Sequence, residues 1–160
     1  MGVTQKVGAL GEELVVQFLV KRGYKILDRN YRRPWGELDV VAERKGKIHF
    51  VEVKALSRNV SDETSRKGVS LFKHAQALVS SETSRERSLR YVTSKVPKDR
   101  FRAEDSVGPH KLKRLSRIIQ TYLMGKHVSD ETSWQFDVAT VLLDEETKRA
   151  KINLIEELIL

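Results

Sequence analysis

The stretch LDVVAERKGKIHFVEVK (38–54) constrains this chain more than any other part of it. Two apolar-rich runs, LDVVAE (38–43) and IHFVEVKAL (48–56), flank the turn sequence RKGK (44–47), which predicts a β-hairpin. Lys45 and Gly46 fit a two-residue loop, the length that hairpins favour. In that register Val41 lies opposite Phe50, Asp39 opposite Glu52 and Glu37 opposite Lys54. Paired side chains share a face, with Cβ atoms ~5 Å apart. Side chains along a strand alternate faces, so Glu52 and Lys54 point the same way. The hairpin therefore predicts a patch of Glu37, Asp39, Glu52 and Lys54 inside a core element. A slip of one residue would destroy it.

Carboxylates held that close repel one another unless a proton or a cation separates them. A hard divalent cation with oxygen ligands suits such a pair. A lysine beside it can stabilise charge on a phosphate, or take a proton from water if its pKa is depressed. A salt-bridge cluster on a sheet face is the purely structural alternative.

The rest of the chain reads as an α/β domain. Residues 4–22 carry Val7, Leu10, Leu14 and Phe18 at helical spacing, with Gly23 as a stop. YKILDRNYR (24–32) predicts a strand that Pro34-Trp35-Gly36 breaks. PHKLKRLSRIIQTYLMG (109–125) predicts the clearest helix, with one stripe from Leu112 to Leu123 and Lys111, Lys113, Arg114 and Arg117 mostly off it. WQFDVATVLLD (134–144) and RAKINLIEELIL (149–160) predict two strands around EETK (145–148). Residues 57–106 are polar and charged, with a short helix expected over 68–79, and form a long basic insertion in a single domain spanning 1–160. VSDETS at 60–65 and 128–133 and VSSETS at 79–84 recur at unequal intervals and suit turns.

The net charge is +8 over 160 residues, and the basic excess lies in the middle of the chain, where residues 57–117 hold 15 basic and 7 acidic residues. A polyanionic partner, most often nucleic acid, is the usual meaning of such a footprint. Cysteine is absent, which excludes disulfides and thiolate metal sites. No apolar run approaches the ~20 residues of a membrane span, and the N-terminus has no signal-peptide core. A soluble cytoplasmic chain without a membrane partner is the expectation. His49 points away from Glu52, and His74, His110 and His127 lack metal-ligand spacing. Trp35 suits packing more than base stacking.

At this point the residues resemble a known group. GELDVVAERKGKIHFVEVK is similar to the active-site hairpin of the PD-(D/E)xK, or restriction-endonuclease-like, nucleases. GALGEELVVQFLVKRGYKILDRNYR, GELDVVAE, FVEVK and QFDVATV, in that order, resemble the YraN-like endonuclease family, itself similar to archaeal Holliday-junction resolvases. The resemblance covers residues 8–56 and about 107–143. It implies a restriction-endonuclease-like mixed β-sheet flanked by helices. It implies Mg²⁺- or Mn²⁺-dependent hydrolysis of DNA phosphodiesters, leaving a 5′-phosphate and a 3′-hydroxyl. Asp39 and Glu52 match the family's metal ligands and Lys54 its catalytic lysine. Glu12 matches the acidic residue that resolvases place beside the metal, a choice over Glu13 that helical spacing alone does not make. Glu37 belongs to the family's GE-x-D without a settled role, and Asp137 matches its FD, where a structural role holding a helix end or a basic residue is expected. The chain departs from the pattern after VEVK, where Ala55-Leu56 stand near an expected arginine that Arg58 would replace, and at QFD, where RFD is more usual.

The expectation is therefore an endonuclease for branched or structured DNA, in repair or recombination. Lys111, Lys113, Arg114, Arg117 and His110 are the candidate nucleic-acid contacts, with Lys111 and His110 nearest the metal site. A non-catalytic nucleic-acid-binding domain on the same scaffold is the first alternative, and a structural salt-bridge cluster the second. A homodimer would suit a junction with two strands to cut, and the apolar segment 153–160 is a candidate surface for it.

Overall fold

The structure, a computed structural model, describes residues 3–57, 109–144 and 149–158. The chain order is helix α1 (Val3–Lys21), strands β1 (Lys25–Arg33), β2 (Gly36–Arg44) and β3 (Lys47–Ser57), helix α2 (Pro109–Gly125), and strands β4 (Trp134–Asp144) and β5 (Arg149–Leu158). These elements build an α/β fold: one mixed sheet of five strands in the order β1-β2-β3-β4-β5, with only β3 and β4 parallel. The elements expected within the described residues are present within a residue or two at each end. The expected short helix at 68–79, two of the three Ser/Thr-rich repeats, Arg58 and the turn 145–148 lie outside the described residues.

Period-two alternation sends sheet residues into two cores. Val40, Ala42, Val51, Ala139, Val141 and Ile152 pack with Leu10, Leu14, Val15, Phe18 and Leu19 of α1. Val41, Ile48, Phe50, Phe136 and Val138 pack with Leu115, Ile118, Ile119 and Tyr122 of α2. The apolar stripe read along residues 109–125 is thus the face that α2 buries.

Lys45 and Gly46 adopt φ of 53° and 77°, the left-handed pair of a tight hairpin turn. The turn sets the register, with Val41 opposite Phe50 and Val40 opposite Val51, as the sequence predicts. The β2–β3 ladder then ends one pair short of Asp39 and Glu52. Leu38 lies in the α2 core and Val40 in the α1 core, although they are two residues apart. Face alternation breaks at Asp39, and β2 parts from β3 there.

The expected structural role for Asp137 holds in part. It is fully buried and binds His49 Nδ1 (2.7 Å), Gln135 Nε2 (2.7 Å) and the backbone N–H of Glu157 (2.9 Å). Glu157 has φ of 65° and sits at an irregularity in the β4–β5 register. The carboxylate therefore pins a bulge in a strand, rather than a helix end, and holds a basic side chain as expected. VSDETS at 128–133 lies in the α2–β4 connection, where Thr132 N–H bonds Ser129 O at 2.9 Å, as expected of turn residues.

Gly11 sets how close α1 comes to the sheet. A Cβ there would lie 2.4 Å from the Ala55 Cβ, closer than atoms can pack. Gly11→Ala should therefore destabilise the protein by about 1–3 kcal/mol through overpacking. Ala55→Gly in the same chain should recover part of the loss, and urea titration of the single and double variants measures both.

Candidate active site

Three elements bring their polar residues to the place where β2 leaves β3. Asp39 comes from β2, Glu52 and Lys54 from β3, and Lys111 from the first turn of α2. Glu12, one residue after the glycine that lets α1 approach, comes from the opposite helix. The pleat supplies the arrangement within β3: Glu52 and Lys54 share the face on which Phe50 meets α2.

Asp39 accepts the N–H of Val53 on Oδ2 at 2.8 Å, its one hydrogen bond among the described residues. Its carboxyl is pushed up from the ordinary 3.8 to about 6. Burial is the largest cause; the Glu52 charge comes next, with Glu12 and Glu37 adding to it against the Val53 hydrogen bond. Glu52 is 7% exposed. Its Oε1 accepts the ammonium of Lys54 at 2.8 Å and that of Lys111 in a very short contact. Burial alone would raise the Glu52 pKa, but the two lysines outweigh it and hold the carboxyl below its ordinary range. Burial likewise disfavours the Lys54 ammonium, yet Glu52 reverses the balance and the Lys54 pKa is raised. The site is thus an anion pair of unequal character: Glu52 is bonded by two lysines, while Asp39 feels the Lys54 charge without a bond to it.

The remaining candidates separate. Glu12 accepts Asn30 Nδ2 at 3.0 Å and its charge reaches Asp39, whereas Glu13 pairs with Arg29 at 2.7 Å. The structure therefore distinguishes the two glutamates that helical spacing left alike. Glu37 does not pair with Lys54; it is exposed and bridges Arg32 at 3.2 Å. The break at Asp39 explains this correction, because Glu37 lies beyond the last β2–β3 pair and its strand partner is Arg32 of β1.

A cleft of about 450 Å³ opens beside Glu52, between α2 and the β1–β2 turn. His110, Lys111 and Arg114 line it, as do Glu37 and two arginines that sequence reasoning passed over, Arg32 and Arg33. Their signal was an adjacent basic pair before Pro34-Trp35-Gly36. Arg117 instead lies over the Trp35 ring at 4.7 Å, and Arg114 Nε donates to the Trp35 carbonyl at 3.1 Å. Trp35 packs on the α2 core, with its Nε1 buried and unpartnered among the described residues. Lys113 is exposed and outside the cleft.

The donor chemistry fits a hard divalent cation. Asp39 and Glu52 offer oxygen alone, and burial first, then the neighbouring Glu52 charge, raises the Asp39 pKa. Magnesium is commonly held by one or two carboxylates and completed by water and substrate phosphate. No group of three Asp, Glu or His side chains forms a ready cage among the described residues, so a third protein ligand would require movement of Glu12.

Comparisons with known proteins agree with the sequence resemblance. The model of a family described as "Uncharacterised protein family UPF0102" matches residues 11–141. A UPF0102 protein of Corynebacterium efficiens is 34% identical over 144 residues, covering 89% of this chain and 83% of that protein. Shorter matches are stronger. A UPF0102 protein of Syntrophomonas wolfei is 52% identical over 52 residues, 32% of this chain and 45% of that protein. One from Wolinella succinogenes is 52% identical over 48 residues, 30% of this chain and 44% of that protein. In these two, the match spans less than half of the relative's length. No helix among the described residues is long and apolar enough to cross a membrane.

The raised pKa of Asp39 has a definite sign in stability. The folded state binds the proton more tightly than the unfolded state, so stability falls as pH rises from about 4 through 6. Asp39→Asn keeps an acceptor for Val53 and removes the charge. It should raise stability by about 1–2 kcal/mol at pH 8, allowing for partial exposure, and change it little near pH 4. Urea unfolding at the two pH values checks this.

Proposed function

This chain belongs to the uncharacterised protein family UPF0102, the YraN-like group, and we propose that it is a metal-dependent endonuclease hydrolysing DNA phosphodiester bonds. The observation that carries the reading is the convergence of Asp39, Glu52 and Lys54 where β2 leaves β3, with Glu52 also lining a cleft rich in cations. Asp39 and Glu52 would hold Mg²⁺ or Mn²⁺, and Glu12, whose charge reaches Asp39, would have to move to assist. When bound, such an ion polarises the scissile phosphate and makes water a better nucleophile.

The chain's own residues do the positioning. Lys54 remains an ammonium because Glu52 favours its charged form, despite burial. This supports a role in stabilising negative charge on the phosphate over one as a base. Lys111 and Arg114 present cations to the phosphate backbone from α2, and Arg32 and Arg33 do so from the β1–β2 turn. By resemblance, water attacks phosphorus, the bond from phosphorus to the 3′ oxygen breaks, and that oxygen takes up a proton. Branched or structured DNA in repair or recombination is the substrate class that the likeness to resolvases favours, in a cytoplasmic setting.

One observation favours the alternative of a non-catalytic nucleic-acid-binding domain. Both lysine ammonium groups occupy one oxygen of Glu52, and no three-ligand cage is present among the described residues. Cleavage decides between the two. Labelled linear duplex, single strand, flap and four-way junction are incubated with the protein in Mg²⁺, Mn²⁺ or EDTA. The nuclease reading expects cleavage in metal that EDTA abolishes and that Glu52→Gln lowers by about 100-fold or more. Binding without cleavage in every metal selects the binding domain. Loss of folding in Glu52→Gln, with neither binding nor cleavage by the parent, selects a structural salt-bridge cluster.

A further inference from the structure

The cleft beside Glu52 has two kinds of wall. Arg32, Arg33, Lys111 and Arg114 outnumber Glu37 and Glu52 in its charged wall, where Arg32 bridges Glu37 and Lys111 bonds Glu52, while the exposed Pro34 supplies apolar surface above the covered Leu115 and Ile118. Gly36 lines the cleft as well, at the seam between the turn and α2. Phosphate contacts along an intact duplex need only a basic surface, and a duplex cannot enter a space of about 450 Å³. A concave site with a few convergent charges beside an apolar surface is built for a small, partly flat, partly anionic group.

We propose that this cleft holds one unstacked nucleotide, its base against Pro34 and its phosphate among Arg32, Arg33 and Arg114, so that the site selects DNA with an unpaired strand over continuous duplex. Guanidinium planes stack on exposed bases as well as pairing with phosphate, which makes arginine suited to both walls. Taking a base out of a duplex costs a few kcal/mol, and least where the nucleotide is already unpaired. That cost separates flaps, gaps and junction centres from uninterrupted duplex without any base-specific contact. Glu52 lines the same cleft, so the captured nucleotide adjoins the phosphate that the carboxylates face. The inference rests on the nuclease reading only for its choice of polymer.

The test is binding in EDTA, where no cleavage is needed. Fluorescence anisotropy compares a 5′-phosphorylated single-stranded oligonucleotide with a blunt duplex of the same sequence at one salt concentration. The single strand should bind about 10-fold more tightly, and Arg32→Ala/Arg33→Ala should remove most of that preference, weakening single-strand binding several-fold more than duplex binding. Lys113→Ala, an exposed lysine outside the cleft, should leave the preference unchanged. Urea midpoints of both variants establish that they fold. Equal or tighter duplex binding by the parent overturns the proposal, as does an equal loss for both DNAs in the double-arginine variant. Strand preference without cleavage in metal would keep the cleft and sink the nuclease reading. Cleavage of duplex and single strand alike, with no preference in binding, would do the reverse.

Discussion

The hydrogen bond from Val53 N–H to Asp39 Oδ2 governs the arrangement of the site. At this point β2 stops pairing with β3, and a backbone donor inside the protein loses its strand partner. Leaving such a donor unpaired costs about 1–3 kcal/mol. A carboxylate satisfies it, and in doing so is held at the fork of two strands, beside Glu52. The same parting carries Glu37 away toward Arg32 and opens the space that the β1–β2 turn and α2 enclose. One break in a ladder therefore sets both the carboxylate pair and the cleft beside it.

Charge balance at the fork is uneven, and that unevenness is chemical information. Lys54 and Lys111 both bond Glu52, while Asp39 is bonded by the Val53 N–H and feels the Lys54 charge without a bond to it. A salt-bridge cluster shaped for stability alone would spread its cations over both acids. Burial and the neighbouring carboxylates raise the Asp39 pKa, a perturbation of the kind that functional sites concentrate. On the other face of the sheet, Asp137 has its charge fully engaged by His49, Gln135 and the Glu157 N–H. The buried Asp137 thus closes a bulge, while the half-buried Asp39 bonds the Val53 N–H at the strand fork.

Much of this was legible in residue order because it depends on near neighbours. The Lys45-Gly46 turn set the hairpin register, and the pleat put Glu52 and Lys54 on one face. The stripe from Leu112 to Leu123 identified the buried side of α2, and Lys111 at its start was expected near Glu52. The reading failed where a regular pattern broke. Opposition of Glu37 and Lys54 assumed that the ladder continued, and nothing in GELD announces that it stops. Glu12 and Glu13 were indistinguishable by spacing, since both lie near the face that α1 turns to the sheet; only docking gave one to Asn30 and the other to Arg29.

What the sequence determined by itself is a mixed α/β chain, a core hairpin bearing Asp39, Glu52 and Lys54, and a basic amphipathic helix. These follow from turn geometry and from periods of two and 3.6 residues, which act over a few positions. Tertiary structure alone decided the strand fork at Asp39, the second lysine on Glu52, and the cleft that joins Arg32 and Arg33 to α2. The contact between Lys111 and Glu52 spans 59 positions of chain. Its closeness depends on how Phe50, Leu115 and Ile118 fill the space between helix and sheet, a sum over many packed side chains that no local spacing records.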